Sequence, residues 1–161
     1  MVNYYDSWIE NNKWLYIQME LCFEDLQKII QLKPKCFGRQ RFSAVNSVEF
    51  YISCQLFKEI VECVQYLHES NPPIIHRDLK PQNILINDKS KSGKFVKLCD
   101  FGLAKEIEYT SMSHTERVGT FGYMAPEVFL RINGKIHYTT KADIYSLGQI
   151  MLKLFDYEIE L

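Results

Sequence analysis

Two short stretches carry side chains that could do chemistry together. Residues 76–83 read HRDLKPQN and residues 100–102 read DFG. Acidic and amide oxygens beside a lysine, followed at a distance by a further aspartate, suggest a site for phosphate and metal split between two loops. An isolated H-x-D means little, and Asp and Asn near a proline are commonly turn formers. The chemistry is therefore credible only if the chain brings the two loops together.

The intervening residues supply the means. Residues 84–86 (ILI) and 95–99 (FVKLC) are short apolar runs joined by the polar connection NDKSKSGK, which reads as a hairpin. HRDLKPQN precedes the hairpin and DFG follows it, so antiparallel pairing delivers both motifs to the same end. Upstream, KWLYIQMELC (13–22) alternates as a strand, with Glu20 to Cys22 as a connector, and FEDLQKIIQL has helical spacing at Leu26, Ile29 and Ile30. KPKCFGRQRF, with Pro34 and Gly38, marks a loop. Asn46 followed by Glu49 then offers a capping-box start to a long helix. From Ile52 its apolar face runs through Leu56, Ile60, Cys63, Val64 and Leu67, and Asn71, Pro72 and Pro73 predict an end near His68. Thr139 and Thr140 lead into a further helix with a stripe at Ile144, Leu147, Ile150, Met151 and Leu154.

The bulk properties frame this reading. The chain has 161 residues, 47% apolar and 14% aromatic, enough for a packed core in one domain. A net charge of -1 gives no electrostatic footprint for direct nucleic-acid binding. The five cysteines are odd in number and contain no C-x-x-C pair, which favours reduced thiols over a disulfide framework or a zinc site. No stretch has the apolar length of a membrane span, and a cytoplasmic location is expected.

HRDLKPQN, DFG and the later APE at 125–127 occur in the order found in protein kinases, and the chain resembles that family from about Trp14 onward. The resemblance implies an α+β, protein-kinase-like fold: residues 13–22 as the last N-lobe strand and hinge, and 23–161 as an incomplete, mainly helical C-lobe with a catalytic-loop hairpin. It implies ATP and Mg²⁺ as cofactors. Asp78 would accept or orient the substrate hydroxyl, Lys80 would steady the γ-phosphate, and Asn83 with Asp100 would hold the metal. Met19 would lie at the back of the adenine pocket, Glu20 to Cys22 would form its hinge, and Leu85 its floor. His76 is implied to be a packed support for the loop, Phe101 a packing residue, and Gly102 the point where the backbone bends. Asp143 would hold the HRD backbone. Arg77 and Lys105 would form a cation pocket for a phosphate on the activation segment, and Thr120 would touch Asp78 and Lys80. Lys80 followed by Pro81 points to serine or threonine as the acceptor.

LYIQMELC (15–22) with HTERVGT (114–120) resembles the stress-responsive kinases of the alpha subunit of translation initiation factor two, in which Thr115 would be the activating phosphorylation site. The protein partner would be that subunit, and a kinase homodimer is compatible with the family. The chain departs from the group at Gln82 and in the strand sequence ILI. None of its seven glycines forms G-x-G-x-x-G, no V-A-I-K-like lysine precedes residue 13, and no helix C glutamate can be placed. The chain is therefore expected to be inactive by itself, and a truncated binding or regulatory module is the alternative reading. By the resemblance, Glu127 pairs with an arginine beyond Leu161. A buried carboxylate left without that partner would make the chain only marginally stable.

Overall fold

The computed structural model describes residues 1–90, 93–106, 112–114, 118–129 and 136–157. In chain order it contains β1 (Tyr4–Glu10), β2 (Trp14–Met19), β3 (Glu24–Asp25), α1 (Leu26–Cys36), α2 (Ser47–His68), β4 (Ile74–Ile75), β5 (Ile84–Ile86), β6 (Val96–Leu98), β7 (Lys105–Glu106), β8 (Met112–His114), β9 (Ile136–Tyr138) and α3 (Thr140–Leu154). The architecture is α+β, the class that the resemblance implies.

β1 and β2 form an antiparallel hairpin whose strand residues are all exposed. Its turn has Asn11 and Asn12 at φ 53° and 50°, a left-handed pair that asparagine tolerates better than most residues and that suits a tight hairpin. Sequence reading finds β2 but not β1. YYDSWIE has no buried face, so the half-buried alternation that marks most strands is missing.

The expected second hairpin is present, with Ile84 opposite Leu98, Leu85 opposite Lys97 and Ile86 opposite Val96. β3 adds to it through Glu24 opposite Ile86 and Asp25 opposite Leu85, making a three-stranded sheet. Behind this sheet, Ile60, Val64 and Leu67 of α2 pack with Leu26, Ile30, Leu79, Ile84, Leu98, Leu147, Ile150 and Leu154 in one core. Burial of a large aliphatic side chain contributes roughly 1.5–3 kcal/mol, so this shared core fixes all three helices against the hairpin.

Three helix boundaries have local causes. Asp25 caps α1 by accepting from the Lys28 amide (2.7 Å), and Thr139 caps α3 by accepting from the Lys141 amide (3.2 Å). Asn46 caps α2 by accepting from the Glu49 amide (2.8 Å), but the reciprocal half of the capping box is absent because the Glu49 carboxylate turns to Lys33 and Arg39. Pro34, expected in a loop, lies inside the last turn of α1. A proline there forfeits one intrahelical hydrogen bond, and the buried Lys33 beside it is anchored to Ser53, Glu49 and the Leu154 carbonyl.

Glu127 differs from expectation. It lies exposed in the short turn Pro126–Phe129, so no buried, unpaired carboxylate arises at this position. The five cysteines are free thiols.

Candidate functional site

The catalytic-loop motif is held from below by Asp143, fully buried in the first turn of α3. Asp143 Oδ2 accepts from the His76 amide (2.9 Å), Oδ1 accepts from the Arg77 amide (3.0 Å), and His68 Nε2 lies 2.8 Å from Oδ2. Three polar contacts on one carboxylate offset its burial. They also hold Arg77 in a left-handed conformation at φ 67°, an unfavourable state for a non-glycine residue that survives where surroundings enforce it.

His76 is itself buried, with Nε2 donating to the Cys99 carbonyl (3.1 Å) and its ring 5.1 Å from that of Phe101. This contact ties HRD to the residue before DFG. The Cys99 amide donates to the Asn83 carbonyl (3.0 Å), a second tie between the same two segments. The hairpin thus brings the two motifs together, as the antiparallel geometry requires.

Above this support lies a compact polar cluster. Thr120 Oγ1 donates to Asp78 Oδ1 (2.6 Å), and Lys80 Nζ donates to both Asp78 Oδ2 (2.7 Å) and Thr120 Oγ1 (2.8 Å). Asn83 Nδ2 donates to the Asp78 carbonyl (2.9 Å) and to Oδ2 (3.0 Å). Both amide protons of Asn83 are thereby engaged, leaving Oδ1 as its ligand atom. Asp78 is only 7% exposed and its carboxylate is fixed from both sides, so it presents a preoriented acceptor.

Asp100 is exposed and sits at φ 59°, with Oδ1 accepting weakly from the Gly102 amide (3.4 Å). The positive φ in this segment falls on Asp100, two residues before Gly102. A Cβ at Gly102 would lie 3.3 Å from Asp100 Oδ1, a close approach that a small shift of the exposed Asp100 side chain relieves. Asp100 and Asn83 offer a carboxylate and an amide oxygen, a donor set that fits Mg²⁺, which is held by one or two carboxylates together with phosphate and water.

The other expected site residues are distributed around this centre. Met19 ends β2 and is 54% exposed, while Cys22 and Leu85 are half-buried. Glu20 pairs with Lys97 (2.6 Å) and accepts from Asn87 Nδ2 (2.7 Å), which ties the connector to the β5–β6 hairpin. Lys97, with help from the Asn3 amide, holds the Glu20 carboxyl below its ordinary range. Arg77 Nε donates to the Leu103 carbonyl, and its guanidinium lies 5.3 Å from the Tyr138 ring. Burial draws that guanidinium below its usual value against the opposing pull of Tyr138 and Asp143. β4 pairs with β7 so that the exposed Lys105 lies opposite Ile75, two residues before Arg77. Thr115 lies outside the described residues. Tyr123 is buried in the main core.

The protein kinase domain family matches residues 1–159. The chain belongs to the protein kinase family. Its kinase relatives include human receptor-interacting serine/threonine-protein kinase 3, 45% identical over 61% of this chain and 18% of that protein. Mouse eukaryotic translation initiation factor 2-alpha kinase 1 is 38% identical over 88% of this chain and 23% of that protein. Mouse interferon-induced, double-stranded RNA-activated protein kinase is 37% identical over 87% and 24%. The chain thus spans less than a quarter of the length of these relatives. Among solved structures, a chain of the yeast RNA Pol II CTD kinase CTDK-1 complex matches with a TM-score of 0.71 and 27% identity, covering 96% of this chain and 44% of that one.

Two features of the kinase site escaped sequence reasoning. His68 was read only as a helix end, although it contacts Asp143. Gly119 was read only as part of the GT motif, although it meets the Arg77 backbone. Both contacts join residues far apart in the chain, so only their types, a histidine at a helix end and a glycine before Thr120, could have hinted at them.

Proposed function

We propose that this chain is the catalytic segment of an ATP- and Mg²⁺-dependent serine/threonine kinase that phosphorylates the alpha subunit of translation initiation factor two, slowing translation under stress. The observation that carries the kinase reading is the fixed Asp78 carboxylate, gripped by Thr120, Lys80 and Asn83. Phosphoryl transfer asks little covalent chemistry of a protein beyond positioning and charge. Asp78 is placed to orient a serine or threonine hydroxyl and accept its proton, and Lys80 brings positive charge beside it. Asn83 and Asp100 would hold the metal, which when bound neutralises phosphate charge. Met19, Cys22 and Leu85 would contact the nucleotide base, and Arg77 with Lys105 would receive a phosphate on Thr115.

Support for the substrate comes from LYIQMELC and HTERVGT and from likeness to the two mouse relatives, one named as a kinase of this factor. The free cysteines accord with a cytoplasmic location.

The test is phosphate transfer from Mg·ATP to recombinant alpha subunit by a chimera in which this chain replaces the matching segment of mouse kinase 1. The chimera is expected to label the subunit, and Asp78→Asn to lower the rate by about 10²–10⁴-fold, the usual contribution of a positioned acid–base group. Labelling of a generic basic protein but not the alpha subunit would reject the substrate. Absence of any transfer by a chimera that binds Mg·ATP would reject the catalytic assignment.

A further inference from the structure

We infer that Gly119 is a positioning residue whose missing side chain lets the activation segment seat Thr120 on Asp78. Gly119 adopts φ +120°, and a Cβ built there would lie 2.8 Å from the Arg77 carbonyl oxygen, closer than such contacts allow. The obstacle is backbone, so no side-chain rotation can relieve it. Nor is Arg77 free to withdraw: its amide donates to Asp143 Oδ1 and its guanidinium to the Leu103 carbonyl.

The next residue along each segment completes the contact. Thr120 Oγ1 donates to Asp78 Oδ1 at 2.6 Å and accepts from Lys80. Two successive residues, 119 and 120, therefore dock on two successive residues, 77 and 78. The first contact is a steric notch and the second a hydrogen bond, and a methyl group in the notch would lift the hydroxyl away from the carboxylate.

Gly122 separates steric fit from backbone freedom. It too has a positive φ, +90°, in the same segment, yet a Cβ there meets nothing within 4 Å. Alanine at 122 incurs the conformational cost of an L-residue in that region, while alanine at 119 incurs that cost and the collision.

The inference rests on the proposed role of Asp78, but its test does not require catalysis. Thr120 is observed through its ¹³C methyl resonance in the full chain, with core methyls of Ile60 and Leu147 as a check on folding. Asp78→Ala is expected to shift the Thr120 methyl in the wild-type chain. In Gly119→Ala the methyl should already be displaced, and adding Asp78→Ala should move it no further. Gly122→Ala should keep the full Asp78-dependent shift. Retention of the wild-type Thr120 position and its response to Asp78→Ala in Gly119→Ala would overturn the inference. So would equal loss of that response in Gly122→Ala, which would assign the effect to φ alone. Loss of the Ile60 and Leu147 core signals in Gly119→Ala would also overturn it, by making the glycine a requirement of the fold. Failure by any of these routes leaves the kinase reading intact.

Discussion

α3 carries a buried polar cluster at each end, and the two differ in what they hold. At its N-terminal end, Asp143 grips backbone amides of His76 and Arg77. Just past its C-terminal end, Asp156 joins Glu49, Arg39 and Lys33: Arg39 bonds Glu49 at 2.5 and 2.7 Å and Asp156 at 2.7 Å, and Lys33 lies 3.3 Å from Glu49. Asp156 Oδ2 also accepts from the Phe42 amide (3.0 Å). The first cluster fixes a loop in a strained conformation beside the Asp78 carboxylate. The second balances two cations with two anions and pins residues 39–42 to the helical core. Buried charge thus holds the HRD backbone at one end and anchors a distant loop at the other, and separate variants can break each.

The largest loss is expected for Asp143→Ala. It strands two backbone amides and frees His68, which should lower stability by about 3–5 kcal/mol, as when a buried polar network loses its central acceptor. Urea unfolding would measure it, and a loss under about 1 kcal/mol would show that water substitutes for the carboxylate.

Arg39→Met should cost less, about 3 kcal/mol, the low end for a broken buried pair, because Lys33 still faces Glu49 and Arg41 lies 4.0 Å from Asp156. It should leave the Thr120 methyl unmoved, and a displaced methyl would show that the two clusters are coupled. The comparison sharpens with acid. Arg39, against the upward push of burial and with help from Lys33, holds the Glu49 carboxyl below its ordinary 4.5. For Asp156, burial pushes upward and is outweighed by Arg39 and the Phe42 amide, so its carboxyl also lies below the ordinary value. Groups with depressed folded values contribute stability fully above their unfolded values and lose it as pH falls. The gap between wild type and Arg39→Met should be full at neutral pH and narrow below about pH 4.5. A gap that is constant down to strongly acidic pH would mean that Arg39 contributes by packing alone.

The two clusters also differ in how far sequence reveals them. Asp143 could be assigned because the resemblance supplies its role, and the β5–β6 hairpin because its apolar runs and polar connection are contiguous. The end of α2 followed from two prolines. The cluster at Asp156 draws on positions 33, 39, 49 and 156, whose spacing follows no local periodicity, so the Glu49 side chain was read as a capping-box partner when distant cations claim it. Pro34 reads as part of a loop because the tertiary anchoring of Lys33 is invisible locally. The positive φ at Asp100 has no marker in the sequence, because it falls on an aspartate rather than on the neighbouring glycine.

The pairing of Asn83 with Asp100 as metal holders is tested most directly by adding Mn²⁺·ATP to the labelled chain and following paramagnetic broadening. Selective broadening of the Asn83 side-chain amide and the amides of residues 100–102, removed by Asp100→Asn and competed away by Mg²⁺·ATP, is the expected result. Uniform weak broadening, or selective broadening that survives Asp100→Asn, would contradict the assignment.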